Sequence, residues 1–174
     1  MGNFLSTVSS FETERLSLRN PVPEDASELC KILKKPGVRA FGVSAAPPSV
    51  EGVSWWIKSL NDNQGCWVIF DKITQDLFGV LTACPGNGKD EYELGYIVDP
   101  DYWGGGLCTE TVCGLVQTLT AAGYRCTLII IAAEDNYASV RVAEKAGFTF
   151  VENTTYFDEV CFVRRNAAKY IMNL

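Results

Sequence analysis

Three consecutive glycines, Gly104 to Gly106, are the feature that most restricts how this chain folds. Glycine weakens both helices and strands, so three in a row mark a turn whose backbone takes conformations that side chains would hinder. The preceding segment, EYELGYIV (91–98), alternates in polarity as strands do. The following segment has apolar residues at helical spacing: Val112, Leu115, Val116 and Leu119. The sequence therefore predicts a strand, a glycine loop and a helix in succession.

A loop of this kind is suited to an anion. The first turn of a helix presents unpaired N–H groups and a partial positive charge, and a loop without side chains lets a phosphate approach them. The small Cys108 and Thr109 would keep that turn uncluttered. No lysine follows the glycines as in a P-loop, and CTLIIIA (126–132) lacks the acid of a dinucleotide fold. A glycine-rich turn without a ligand remains the alternative for this segment taken alone.

Hydrophobic spacing elsewhere predicts an α/β protein, with residues 1–174 as a single domain. We expect one twisted mixed sheet, antiparallel in its first part, with helices on both faces and a strand–helix–strand crossover through 91–132. Strands are predicted at 12–19, 66–73, 77–84, 91–98, 126–132, 148–152 and 158–165, and helices at 21–35, 49–62, 107–122, 136–147 and 166–174.

Charge and hydropathy narrow the class of protein. The 174 residues are 47% hydrophobic and 21% charged, as in globular proteins, and their net charge of −6 argues against nucleic acid as a partner. The acidity fits a cationic partner, or only a solvated surface. No apolar run is long enough to insert stably in a membrane and no signal peptide is evident, so a cytoplasmic protein is expected. Gly2 and Ser6 fit the short pattern of an N-myristoylation site.

Cysteine and histidine usage limits the chemistry. The seven cysteines form no C-x-x-C pair and their count is odd, so reduced thiols are expected and no metal is implied. Histidine is absent, which excludes zinc sites that need imidazole, Ser-His-Asp triads and Cys-His pairs. Any proton transfer must therefore use carboxylates, hydroxyls, thiols, lysine or water.

Two segments carry a resemblance to a known family: YELGYIVDPDYWGGGLCTET and DNYASVRVAEKAGF. They resemble the GNAT superfamily of acetyl-CoA-dependent N-acetyltransferases, and most of all the branch of RimJ/RimL-like ribosomal-protein N-terminal acetyltransferases. The segment FETERLSLR is similar to the opening strand of that branch. The resemblance runs from about residue 12 to about residue 165.

The resemblance implies acetyl-CoA as cosubstrate, without a metal. Trp103, Gly106 and Cys108 match the family's pyrophosphate loop, and Gly105 stands where a Lys or Arg is frequent, so one positive charge is missing. The implied cofactor-binding residues are Ile97 and Val98 along the pantetheine arm, Trp103, Gly104, Gly105, Gly106, Leu107, Cys108 and Thr109 at the pyrophosphate, and Asn136 at the arm. The arm would lie where 91–98 and 126–132 part. Asn136 has an equally good explanation as a helix N-cap.

The implied reaction moves an acetyl group from a thioester to a primary amine. Glu93 is the candidate base, with Glu91 on the same strand face as its rival and a solvated surface position as the alternative. The N–H of Ile97 or Val98 would stabilise the oxyanion. Ser139 is the candidate donor to the departing thiolate, or else a capping residue. Many family members have a tyrosine where Ala143 stands, so Tyr137 is the other candidate donor, and Arg141 and Lys145 are candidates for the 3′-phosphate.

The acceptor amine is open: a protein N-terminus or a small molecule, on an enzyme that is monomeric or homodimeric. One wall of the acceptor groove is expected in 36–60, with Phe41, Trp55 and Trp56. The alternative from another class is a catalytically silent acyl-CoA-binding sensor or interaction module. A nucleotide-binding α/β protein is a third interpretation.

Overall fold

The computed structural model describes residues 7–40, 49–61, 65–158 and 161–174. Within these ranges eight strands form one sheet in the order β1-β2-β3-β4-β5-β6-β8-β7. All neighbours are antiparallel except β5 and β6, which run parallel. The mixed α/β architecture predicted from the sequence is therefore confirmed. The strands are β1 Ser10–Glu12, β2 Leu16–Arg19, β3 Gly65–Asp71, β4 Leu77–Pro85, β5 Glu91–Val98, β6 Thr127–Ala133, β7 Thr149–Asp158 and β8 Val163–Asn173.

Helices cover both faces of the sheet, as predicted. On one face Leu29 and Ile57 pack with Val68 and Val80 in one apolar cluster, and on the other Leu115 packs in the larger core. The helices are α1 Ala26–Leu33, α2 Pro36–Arg39, α3 Val50–Asn61, α4 Leu107–Ala121 and α5 Tyr137–Lys145, with 3-10 turns at Pro23–Asp25 and Pro100–Tyr102. The first face belongs to α1 and α3 and the second to α4 and α5, so the sheet is the middle layer.

Three element predictions are wrong. The predicted strand 158–165 includes a turn at 161–162, since β7 ends at Asp158 and β8 begins at Val163. The predicted terminal helix, 166–174, is the second half of β8, which pairs with β6 from Ala133↔Ala167 to Thr127↔Asn173. The segment is too short for its hydrophobic spacing to distinguish a buried strand from a helix, and pairing with β6 determines its conformation. The predicted strand 12–19 is two strands, because the chain reverses at 13–15, where the N–H of Thr13 donates to the carbonyl of Leu16.

The segment around the glycines has the predicted form. Strand β5 spans the predicted residues, and α4 begins directly after Gly106. Of the predicted apolar stripe of α4, Val112, Leu115 and Leu119 are buried and Val116 is half-buried, and Gly123 follows the end of the helix with a φ of 76°. Helix α5 begins after Asn136, whose side chain accepts from the N–H of Ser139 at 3.2 Å, and Gly147 follows it with a φ of 88°.

The remaining sequence predictions concern the N-terminus, the acceptor wall, the cysteines and membrane-spanning segments. Gly2, Ser6 and Phe41 lie outside the described residues. Trp55 of α3 is 72% exposed, whereas Trp56 packs against the cluster under α1 and α3. The seven cysteines, all within the described ranges, form no disulfide bond. None of the helices described has both the length and the apolarity that a bilayer crossing requires.

Candidate active site

Strands β5 and β6 begin side by side and then separate. Their pairing runs only from Glu91↔Thr127 to Glu93↔Ile129. Beyond it β6 stays paired with β8 as far as Ala133, while β5 stays paired with β4. A gap therefore opens between the second half of β5 and β6, at the place where the sequence predicted that the two strands part.

The direction of backbone groups along β5 can be read from its two ends. Asp99 donates its N–H to the carbonyl of Phe78, on the β4 side, at 2.7 Å. The carbonyl of Asp90 accepts from Thr127, on the β6 side, at 2.9 Å. Successive residues of a strand direct their backbone groups to opposite neighbours. Odd-numbered residues of β5 therefore face β4, and even-numbered residues face β6 or the gap.

This alternation separates the two candidate oxyanion donors. The N–H of Ile97 is directed to β4, where Ile97 pairs with Val80. The N–H of Val98 is directed into the gap, beyond the last pair with β6. The carbonyl of Val98 accepts from the indole Nε1 of Trp103 at 2.8 Å. Among the two, only Val98 presents a backbone donor to a group lying in the gap.

The glycine loop lies immediately beyond the end of β5. Gly104 and Gly106 have φ values of 82° and 75°, in the left-handed region that favours glycine. Gly106 is the N-cap of α4 and no side chain caps the helix there. The first helical bond runs from Glu110 to Gly106 at 3.0 Å, so the N–H groups of 107–109 have no intrahelical acceptor. The loop thus presents backbone donors, as expected for an anion site.

Trp103 and Cys108 flank the glycines without offering reactive groups. The Trp103 ring packs against α2, where a methyl group placed on Gly37 would lie 3.0 Å from it. Together with its bond to Val98, this contact fixes the start of the loop to the end of β5. Burial raises the pKa of the Cys108 thiol to about 12, so this cysteine stays protonated.

A charged residue from far along the chain also contacts the loop. Arg15, in the β1–β2 turn, donates from Nη1 to the carbonyl of Gly105 at 3.0 Å, and its Nε lies 2.6 Å from Oε2 of Glu110. Burial raises the pKa of Glu110, but hydrogen bonds from Thr13 and Arg15 outweigh it, so the net pKa lies below its usual value. Sequence reasoning missed Arg15, because 90 residues separate it from Gly105 and no spacing relates them.

Glu93 lies at the point where the strands separate. It is opposite Cys84 of β4 and belongs to the last residue pair between β5 and β6. Although Glu93 is an exposed residue by its surface area, partial desolvation by the neighbouring strands raises the pKa of its carboxyl above its usual value, and the positive charge of Lys169 opposes that shift. Its side chain makes no hydrogen bond within the part of the chain that the structure describes. A carboxylate in this position is free to accept a proton.

Glu91, the rival base, is engaged elsewhere. Its Oε2 accepts from the N–H of Gly88 at 2.9 Å, within the turn that joins β4 to β5. The turn packs closely around it, since a methyl group on Gly88 would lie 2.5 Å from its carboxyl carbon. The side chain therefore stabilises the turn, two residue pairs away from Glu93, where the gap opens.

Ser139 lies in the first turn of α5, across the gap from β5. Its hydroxyl forms a 2.7 Å hydrogen bond with the hydroxyl of Tyr96, a β5 residue that sequence reasoning did not single out. Burial raises the pKa of Tyr96 above its usual value, so the phenol stays neutral and can donate. Tyr137 is 72% exposed. The pair of hydroxyls thus connects β5 to the first turn of α5, in the part of β5 that follows its last pair with β6.

Comparison with known proteins identifies the family. The profile of the acetyltransferase (GNAT) domain matches residues 15–149, which is most of the chain. The protein therefore belongs to the GNAT acetyltransferases and is an N-acetyltransferase. The family match agrees with the resemblance inferred from the two sequence segments. A search of curated protein sequences returns no match.

Solved structures support the same fold. A GNAT-family acetyltransferase from Bacillus anthracis superposes with a TM-score of 0.82 at 16% identity, over 94% of this chain and 98% of that one. The microcin C7 self-immunity acetyltransferase MccE, in complex with acetyl-CoA and AMP, gives 0.82 at 18% identity, over 92% and 93%. An acetyltransferase from Salmonella typhimurium that modifies the N-terminal serine of ribosomal protein L7/L12 gives 0.79 at 18%, over 93% and 96%.

Proposed function

We propose that this protein transfers an acetyl group from acetyl-CoA to a primary amine. The observation that carries the proposal is the gap between β5 and β6, which opens directly beside the glycine loop at the start of α4. A linear cofactor with a phosphate end and an extended, peptide-like arm fits such an arrangement. The likeness to MccE, which was solved with acetyl-CoA, supports the same donor.

Backbone groups supply most of the proposed cofactor contacts. The unpaired N–H groups of 107–109 and the left-handed glycines would hold the pyrophosphate. The pantetheine arm would enter the gap and use the backbone groups of Tyr96, which β6 leaves unpaired, while the N–H of Val98 would serve the thioester carbonyl. Asn136 caps α5 by accepting from the N–H of Ser139 through Oδ1. Its side-chain NH2 group would therefore be the donor that it offers to the arm.

The proposed chemistry places Glu93 on the amine and Ser139 on the leaving thiol. Glu93 removes a proton from the ammonium, and the free amine attacks the thioester carbonyl. The N–H of Val98 stabilises the oxyanion of the tetrahedral intermediate. The C–S bond then breaks, the Ser139 hydroxyl donates a hydrogen bond to the departing thiolate, and the second proton of the attacking nitrogen passes through water to that sulfur to give the thiol. The proton held by Glu93 leaves through water, and CoA and the acetylated amine are released.

The proposed acceptor is the amine at a protein N-terminus. The Salmonella enzyme that shares this fold acts on an N-terminal serine, and the net charge of −6 is favourable for approach of an ammonium group. We treat residues 1–174 as one acetyltransferase domain acting in the cytoplasm, where acetyl-CoA and new polypeptides meet.

The test uses two measurements on the whole protein. Calorimetry should show that acetyl-CoA binds with a much lower Kd than ATP or NAD. Mass spectrometry should then detect a gain of one acetyl group on peptides with free N-termini, but not on the same peptides with blocked ones. Binding without acetylation of any peptide or of a panel of small amines would instead indicate a silent acyl-CoA-binding module. Preference for ATP or NAD would contradict the proposed cofactor.

A further inference from the structure

We propose that Arg15, from the β1–β2 turn, is the side chain that binds the phosphate groups of CoA at the glycine loop. This inference rests on the proposed acetyl-CoA site and adds to it a residue from outside the loop. Its starting point is a shortage of charge: residues 103–109 contain no lysine or arginine, whereas CoA carries a pyrophosphate and a 3′-phosphate. Backbone N–H groups alone would have to compensate that charge.

The guanidinium group of Arg15 is held beside the loop by two contacts. Its Nη1 donates to the carbonyl of Gly105 at 3.0 Å, and its Nε donates to Oε2 of Glu110 at 2.6 Å. The backbone N–H of Arg15 donates to the other oxygen of Glu110 at 2.8 Å. The side chain is therefore already oriented before any ligand arrives, which reduces the entropy lost on binding.

The third nitrogen of the guanidinium is available. Nη2 makes no hydrogen bond within the described residues, and it would lie 3.8 Å from a methyl group placed on Gly106, the N-cap of α4. A phosphate bound to the first turn of α4 would thus come within reach of a planar, permanently charged donor. The Arg15 side chain is 47% exposed, so the ligand has access to it.

Two lysines near this end of the gap, Lys35 and Lys72, make contacts of their own with other groups. Lys35 lies between Asp99 and Asp101, at 2.5 and 2.6 Å from their carboxylates. Lys72, in the β3–β4 turn, donates its backbone N–H to the carbonyl of Arg15, and its side chain contacts Glu12 at 2.8 Å and the carbonyl of Thr13 at 2.6 Å. Lys72 therefore makes a suitable control, because its removal takes the same charge from the neighbouring turn without touching the loop.

The experiment compares binding of three ligands to four proteins. Wild type, Arg15→Gln, Arg15→Lys and Lys72→Gln are titrated with CoA, with 3′-dephospho-CoA and with pantetheine, the nucleotides by calorimetry and pantetheine by NMR. Loss of a charged hydrogen bond predicts a roughly tenfold weaker Kd for CoA in Arg15→Gln. Arg15→Lys keeps the positive charge but not the planar set of N–H donors, so its affinity for CoA should fall by less than that of Arg15→Gln. Pantetheine, which lacks phosphate, should bind equally to all four proteins.

The dephospho ligand identifies which phosphate Arg15 contacts. If 3′-dephospho-CoA shows the same loss as CoA, Arg15 serves the pyrophosphate; if that loss disappears, it serves the 3′-phosphate. Unchanged CoA binding in Arg15→Gln, an equal loss for pantetheine, or an equal loss in Lys72→Gln would each overturn the inference. If Arg15→Gln fails to fold, unchanged CoA binding in Arg15→Lys overturns it instead. Failure of wild type to bind CoA would contradict the proposed function itself.

Discussion

The two ends of the proposed cofactor site are built in different ways. At the phosphate end, a continuous stretch from Trp103 to Thr109 presents backbone N–H groups, with side chains mostly kept out of the way. At the reacting end, the side chains of Tyr96 and Ser139 meet from one strand and one helix that are 43 residues apart, while the Glu93 side chain lies on the opposite face of the same strand. The first end depends on backbone conformation and the second on particular functional groups, so substitutions should affect them differently.

The largest effect is expected at the reacting end, from Glu93→Gln. Removing a general base typically costs about 10² to 10⁴ in rate, and the amide keeps the size of the side chain. The turnover number should fall by that factor while the Kd of acetyl-CoA hardly changes. Because partial desolvation raises the pKa of Glu93, the acidic limb of the wild-type pH–rate profile should lie above the usual pKa of a glutamate, and the variant should lose that limb.

Glu91→Gln is the matched control for this prediction. Glu91 lies on the same strand face but bonds to Gly88 in the preceding turn, so its loss should reduce stability without reducing turnover of the folded protein. If Glu91→Gln loses turnover and Glu93→Gln does not, Glu91 is the base. If neither variant loses turnover, the proton leaves the amine by another route.

At the phosphate end, Gly106→Ala should weaken CoA binding by roughly tenfold or more. The residue has a φ of 75°, where a non-glycine residue costs roughly 1 to 2 kcal/mol, and any relief of that strain moves the N–H groups that would hold the pyrophosphate. Calorimetry measures the loss of affinity and thermal unfolding measures the loss of stability.

Gly123→Ala separates these two consequences. Gly123 has nearly the same φ, 76°, and open space around it at the far end of α4. It should lose a similar amount of stability and no CoA affinity. Equal loss of affinity in both variants would mean that the α4 loop acts only through stability, and would contradict its assignment as the phosphate site.

A smaller effect is expected from Tyr96→Phe, which removes one hydroxyl from the pair that spans the gap. If Tyr96 donates to Ser139, the serine proton is directed to the thiolate. Loss of the Tyr96 hydroxyl should then lower turnover by about tenfold, which corresponds to the energy of one hydrogen bond. Ser139→Ala should lower it by at least as much. The double variant should match Ser139→Ala, because the two hydroxyls act in series; additive losses would contradict that relationship.

The same contrast decides what could be predicted from sequence. The phosphate end is contiguous, so glycine conformation, helix spacing and the family resemblance are enough to predict 103–109 as the phosphate loop from sequence alone. The reacting end depends on register: only the pairing of β5 with both neighbours distinguishes the N–H of Val98 from that of Ile97. From the sequence, Tyr96 is predicted only to lie on the apolar face of strand 91–98. Arg15 is predicted only to belong to the opening strand. The terminal strand was missed for the same reason, since β6 and not local spacing determines its conformation.

The smallest effect concerns two glutamates, one at each end, whose pKa values move in opposite directions. The pKa of Glu110 is lowered in the folded protein, so its contribution to stability is present above the unfolded value of about 4.3 and is lost as the pH falls through the folded value. Glu110→Gln should therefore lower Tm at pH 7 by about 2 to 4 °C, for about 1 kcal/mol, and by less below pH 4. The pKa of Glu93 is raised, so its favourable contribution is present below about 4.3 and is lost as the pH rises through the folded value. Glu93→Gln should accordingly gain stability relative to wild type between pH 4 and 7, while it loses turnover.

Thermal unfolding of both variants, Glu110→Gln and Glu93→Gln, across this pH range measures the two differences. The same sign of change in both would contradict the contrast between an ion-paired carboxylate at the loop and a desolvated one where β5 and β6 part.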